Sequence, residues 1–109
     1  MDYGSRMHLN CIRHDPGASD LHKDQVENIC RLLRKNKVDY VCRAVIEQGY
    51  KSPILITDVF AITEPKPTVI EVIDTETEEH VQEKLKKYPD EFRKVFIRKG
   101  ENIHNLGLI

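Results

Sequence analysis

An α/β domain is predicted, with a mixed central sheet of about four to five strands flanked by helices in the order α-β-β-β-α-β. Two segments place apolar residues at helical spacing, and four short runs are rich in β-branched and aromatic residues. The last of these runs is reached only through the second helical segment. Strands that follow one another directly pair as an antiparallel meander, whereas a strand reached through a helix lies parallel to its predecessor. With 109 residues the chain suits one domain with one core and is too short for two ordinary ones. Residues 1–109 are therefore read as a single domain, with 1–19 as a loosely structured N-terminal arm.

Residues 1–20 are polar and irregular, and "HDPGASD" is a turn that leaves Ser19 or Asp20 as a helix N-cap. In "DLHKDQVENICRLLRKNK" the residues Leu21, Val26, Ile29, Cys30 and Leu33 recur at helical spacing, and cations gather at the C-terminal end, where the helix dipole favours them. "VDYVCRAVIEQGY" sets Tyr40, Cys42, Ala44 and Ile46 alternately against polar Asp39, Arg43 and Glu47, the pattern of a strand. "SPILITDVFAITEPKP" supplies the second strand, entered through residues 49–53 and left through Glu64-Pro65-Lys66-Pro67. The third, "TVIEVID", is apolar throughout except for Glu71, as expected of a strand covered on both faces. "ETEEHVQEKLKKYPDEF" reads as a helix capped by Thr75 or Thr77, burying Val81, Leu85 and Tyr88 and ending near Pro89. "RKVFIRK" is the fourth strand, and the tail adds at most a short element.

The composition excludes several classes. Apolar runs of about five residues fall far below the roughly 20 needed to span a bilayer, and the N-terminus lacks the apolar core of a secretory signal, so a cytoplasmic location without membrane contact is expected. A net charge of −1 gives no overall pull toward nucleic acid. Basic residues nevertheless concentrate at 30–37, 84–88 and 92–99; if these segments share a face, phosphate binding follows, and if not they solvate helix surfaces. Three cysteines, Cys11, Cys30 and Cys42, form no CxxC pair and argue for a reducing compartment. His8-x-x-Cys11-x-x-His14 has part of a zinc-site spacing but lacks the remaining ligands, and a loop-packed terminus is the commoner outcome.

Two acids interrupt apolar strands: Glu71 in "VIEVI" and Asp58 in "ILITDVFAI", thirteen residues apart on consecutive strands. Buried side by side they would repel and resist ionisation unless something positive lay between them. A divalent cation is the economical answer, and hard oxygen ligands suit Mg²⁺ or Mn²⁺. Hydration at strand ends is the alternative for either acid alone.

Over roughly residues 20–98 this pattern resembles the PD-(D/E)xK nuclease superfamily, which includes restriction endonucleases, Holliday-junction resolvases and RecB-type nucleases. The resemblance implies a restriction endonuclease-like core with an Asp on the second strand and a Glu-x-Lys on the third. Asp58 and Glu71 match the two acids, and Glu27 occupies a suitable place for the acid that often assists from the first helix. Thr57 replaces the proline before Asp58. More seriously, Ile73 stands where the catalytic lysine is expected. Lys84 and Tyr88 on the following helix form K-x-x-x-Y, similar to the Q-x-x-x-Y of RecB-like members and to families whose lysine has moved onto this helix.

The resemblance implies a metal-dependent nuclease that hydrolyses phosphodiester bonds in DNA or RNA. Asp58, Glu71 and Lys84 would be catalytic, and Asp58, Glu71, the Val72 carbonyl and Glu27 would hold Mg²⁺ or Mn²⁺. Lys51, Arg31, Arg34, Lys35, Lys87 and Tyr88 would contact nucleic acid, chiefly its backbone. The partners expected are nucleic acid, most simply DNA, and a second copy of the chain, since two strands need two cuts; a protein partner is a further option. Two alternatives stay open: a degenerate nuclease-fold module that binds nucleic acid or protein without cutting, and a small α/β regulatory or assembly protein without metal.

Overall fold

Ser19 starts the first helix by accepting a hydrogen bond from the His22 N–H at 3.2 Å, which satisfies one of the helix's unpaired donors. In the computed structural model, which describes residues 9–47, 49 and 54–106, helix α1 runs over Asp20–Lys35. It is followed by β1 (Tyr40–Ile46), β2 (Leu55–Ala61), β3 (Thr68–Ile73), α2 (Glu78–Lys86) and β4 (Arg93–Arg98), and then by a 3₁₀ turn at Ile103–Leu106. Helix α2 is capped by Thr77, whose hydroxyl accepts from the His80 N–H at 3.3 Å.

The four strands lie side by side in the order β1-β2-β3-β4. β1 and β2 pair antiparallel, as do β2 and β3, while β3 and β4 pair parallel. The molecule is thus an α/β fold with a mixed sheet between two helices, as the order of elements predicts.

Each helix buries one stripe against one face of the sheet. Val26, Ile29, Cys30 and Leu33 of α1 pack against Tyr40, Cys42, Val59, Ala61, Ile70 and Val72. On the other face Val81 and Leu85, with Tyr88 and Phe92 beyond the helix, cover Val41, Ala44, Ile46, Phe60, Val69 and Ile73. Burying each such aliphatic side chain stabilises the fold by roughly 1.5–3 kcal/mol. Because β3 is covered on both sides, all six of its residues are buried, and its apolar run needs no alternation.

The strands β1 and β2 change faces partway along. Tyr40 and Cys42 point to the α1 side, whereas Ala44 and Ile46 point to the α2 side. The residue between them, Arg43, has φ of +57°, a left-handed conformation that turns a strand over. In β2, Val59 and Ala61 face α1 while Leu55 packs with the α2-side cluster, so the reversal falls at Asp58. The β1–β2 register pairs Cys42 with Val59 and Ala44 with Thr57, which sets the two reversal points across from each other. The alternation of Tyr40, Cys42, Ala44 and Ile46 therefore does not mark one face, as their spacing suggests; it marks two.

Within the N-terminal arm at 1–19, Leu9 and Asn10 contact the first strand. Leu9 forms a bridge with Val41, and Asn10 accepts from the Tyr40 N–H at 3.0 Å and donates to Asp39 at 3.0 Å. Cys30 and Cys42 are buried, reduced and 3.4 Å apart between their sulfurs, whereas Cys11 is exposed. Among the described residues no helix is long and apolar enough to cross a membrane.

Candidate active site

The β2–β3 ladder pairs Ala61 with Thr68, Phe60 with Val69 and Val59 with Ile70, and then stops. One step further, the same register would set Asp58 opposite Glu71. Asp58 instead bonds to the backbone of β3, its Oδ2 accepting from the Val72 N–H at 2.8 Å. A β3 donor is thus satisfied by a side chain of β2, at the point where β2 changes faces. Thr57 closes the same gap, its hydroxyl lying 3.3 Å from the Ile70 carbonyl.

Glu71 shares the α2-facing side of β3 with Val69 and Ile73 and is 1% exposed. Two groups from the α2 segment reach it. The Tyr88 hydroxyl donates to Oε1 at 2.5 Å, and the Lys84 ammonium stands 3.4 Å from Oε2. Tyr88 is buried just past the last helical turn, while Lys84 is 44% exposed and extends its stem inward from solvent. Burial, and then the charge of Asp58, push the Glu71 carboxyl up to about 7, against the opposing pull of Lys84 and Tyr88. Asp58 moves the other way. Burial alone would raise it, but hydrogen bonds from His22, from Glu71 and from the Val72 N–H hold it below the ordinary carboxylate range. The two carboxyls are thus pushed in opposite directions, Glu71 up and Asp58 down.

His22 is the member of this site that sequence reasoning misses. Its Nε2 lies 3.5 Å from Asp58 Oδ2 and 3.1 Å from the Val72 carbonyl oxygen, so an Nε2–H proton bridges the two. The hydrogen bond to Asp58 raises the His22 pKa against the opposing effect of burial. A signal for it exists: position 22 continues the stripe formed by Val26, Ile29, Cys30 and Leu33, the face of α1 that meets the sheet. A histidine on that stripe needs a buried partner, and Asp58 is that partner.

The remaining candidates are placed as follows. Glu27 pairs with His14 at 3.7 Å, and the α1 group that meets Asp58 is His22. The Val72 carbonyl is beside the carboxylates and accepts from His22. Arg31, Arg34 and Lys35 lie near the C-terminal end of α1, about 14–20 Å along the helix axis from His22. Arg34 donates to the Asn10 carbonyl at 3.3 Å and to the Tyr40 hydroxyl at 3.2 Å. Lys87 is exposed at the C-cap of α2, on the opposite side of the sheet from α1. The basic segment at 30–37 therefore lies across the sheet from that at 84–88, while the strand at 92–99 sends Val95 and Ile97 to the α1 side and Phe96 to the α2 side. Lys51 lies outside the described residues, as does His8 of the zinc-like spacing.

No protein-family model, curated protein or solved structure matches this chain. Among the described residues no cluster of three or more His, Cys, Asp and Glu side chains is arranged to hold a metal ion. Asp58, Glu71 and the Val72 carbonyl bring hard oxygen donors to neighbouring positions, with the Val72 N–H on Asp58. That set fits Mg²⁺ or Mn²⁺, which take one or two protein carboxylates and complete their shell with water and phosphate oxygens. It does not fit zinc, which prefers four nitrogen and sulfur donors.

Tyr88→Phe will destabilise the folded state by about 1.5–3 kcal/mol at a pH where Glu71 is ionised, because a hydrogen bond to a buried charge is lost. Urea denaturation at pH 8 and pH 5 will show the larger loss at pH 8. An equal loss at both would mean that the hydroxyl does not act on the charged carboxylate.

Proposed function

We propose that this protein is a metal-dependent nuclease whose reacting centre is formed by Asp58, Glu71 and Lys84. The observation that carries this reading is the position of Lys84, 3.4 Å from Glu71. Ile73, standing where the superfamily's lysine would be, is 1% exposed in the core beneath α2, and the helix above supplies a cation to the same carboxylate. Asp58 and Glu71, with the Val72 carbonyl, would hold Mg²⁺ or Mn²⁺. When bound, such an ion supplies charge neutralisation at the scissile phosphate and a more acidic water. His22 orients Asp58 and Tyr88 orients Glu71, each through one hydrogen bond. Lys84, partly exposed, donates to the attacking water or to a phosphate oxygen that gains charge in the transition state. Cutting both strands of a duplex would take two copies of the chain, and a cytoplasmic setting would supply the magnesium.

One observation favours the degenerate binding module instead. Both Glu71 oxygens are already engaged within the protein, and the residue is fully buried. Incubation of labelled DNA and RNA with the protein in Mg²⁺, in Mn²⁺ and in EDTA separates the two. The nuclease cleaves in either metal and stops in EDTA, and Asp58→Ala abolishes cleavage. Binding without cleavage under every condition would sink the nuclease reading.

A further inference from the structure

We infer that the groove between α2 and β4 is a binding track for a single nucleic-acid strand. It is a recess of about 590 Å³ on the flank of α2 away from Lys84. Four cations from three elements line it: Lys66 from the β2–β3 connection, Lys86 from α2, and Arg93 and Lys94 from β4. Among the described residues no carboxylate lines it, in a chain whose acids outnumber its Lys and Arg by 18 to 17. Lys94, only partly exposed, also faces the fully exposed Asp90 at 3.6 Å, a pairing that salt and a competing phosphate can exchange.

The floor of the groove is aromatic. Phe92 is buried in edge-on contact with Phe60, their ring centroids 5.3 Å apart, which fixes the wall. Phe96 is half-buried and leaves part of its ring toward the recess. A positive groove that follows a backbone, with an aromatic surface for the bases, is how proteins hold single strands without reading their sequence. The outer face of α2 beside it carries Glu78, Glu79 and Glu83, which repel a polyanion and confine it to the groove. In the β3–β4 ladder Phe96 is the direct neighbour of Glu71, so a strand held here lies one β-strand away from the carboxylate pair. The track rests on the nuclease reading for its ligand class, yet it binds through residues other than Asp58, Glu71 and Lys84, on the other flank of α2 from Lys84.

Fluorescence anisotropy with a labelled single-stranded oligonucleotide in EDTA tests this. With four phosphate contacts, log K should fall with log salt at a slope of about −0.7 per contact, near −3 in all. Lys66→Glu with Lys86→Glu, both exposed positions, should weaken binding at low salt by at least about tenfold and flatten the slope by about 1.4. The milder Lys66→Gln with Lys86→Gln should move both quantities the same way by less, and thermal melts confirm that the variants are folded. Asp58→Ala should bind like the wild type, so loss of hydrolysis and loss of the track are distinguishable. Unchanged affinity and slope in both double variants would overturn the proposal, as would equal binding of poly-glutamate, or a duplex bound as tightly as the single strand.

Discussion

Lys84→Met will lower metal-dependent hydrolysis by about 10²–10³-fold, the loss typical of one donor aimed at developing charge. The fold will survive, because the side chain is 44% exposed and its stem crosses the surface. Two roles for Lys84 predict different pH profiles. If it only tunes Glu71, its removal takes away a charge that lowers the Glu71 pKa, and the rate returns at higher pH. If it donates to the water or the phosphate, no pH restores the rate, while Lys84→Arg keeps part of it. The geometry favours the second, because an ammonium within reach of Glu71 and still partly in solvent is placed to meet a substrate. A wild-type rate for Lys84→Met in single-turnover measurements would remove the lysine from the mechanism.

In EDTA the folded protein will lose stability as pH rises from about 4.5 to about 7. The Glu71 carboxyl titrates near 4.5 when unperturbed and near 7 in the fold. Between those values the folded chain holds more protons than the unfolded chain, so stability falls with rising pH, by at most about 1.4 kcal/mol per pH unit. His22 adds to this decline. Its pKa is raised above 6.5, so the stability it contributes is complete below that value and lost as pH climbs through the folded one. Asp58 acts in the opposite sense: its lowered pKa contributes stability above 3.8 that disappears on acidification. The metal-free optimum therefore lies on the acid side of neutrality. Glu71→Gln will flatten the decline between about 4.5 and 7 and leave the His22 portion. Mg²⁺ will raise the melting temperature more at pH 8 than at pH 5.5, because the cation competes with a proton for the same pair. A wild-type stability curve that is level from pH 5 to 7 would show that Glu71 does not carry that proton in the fold.

Element order and type were legible because they rest on local patterns: caps at Ser19 and Thr77, the helical stripe of α1, the doubly covered run of β3. The K-x-x-x-Y resemblance suggested Lys84 and Tyr88 for this site, and both groups do reach Glu71. The reversal of faces was not. It depends on a left-handed Arg43, a residue whose type gives no hint of positive φ, and the alternation around it reads as one continuous face. His22 was hidden for a related reason: its stripe was visible, but its partner Asp58 joins that side only because β2 turns over at the same level. Whether the basic segments share a face was open in the sequence, because it turns on topology: the sheet stands between α1 and α2.

β4 closes the row of four strands, and its sequence "RKVFIRK" bears on how copies of the chain can meet. Two such edges brought together antiparallel about a two-fold axis at Phe96 would set Arg93 across from Lys99 and Lys94 across from Arg98. Four like-charge pairs would face one another, a repulsion that disfavours this register of the continuous eight-stranded sheet an open edge otherwise invites. Two of the cations that line the groove, Arg93 and Lys94, thus also weigh against self-pairing of this edge in that register.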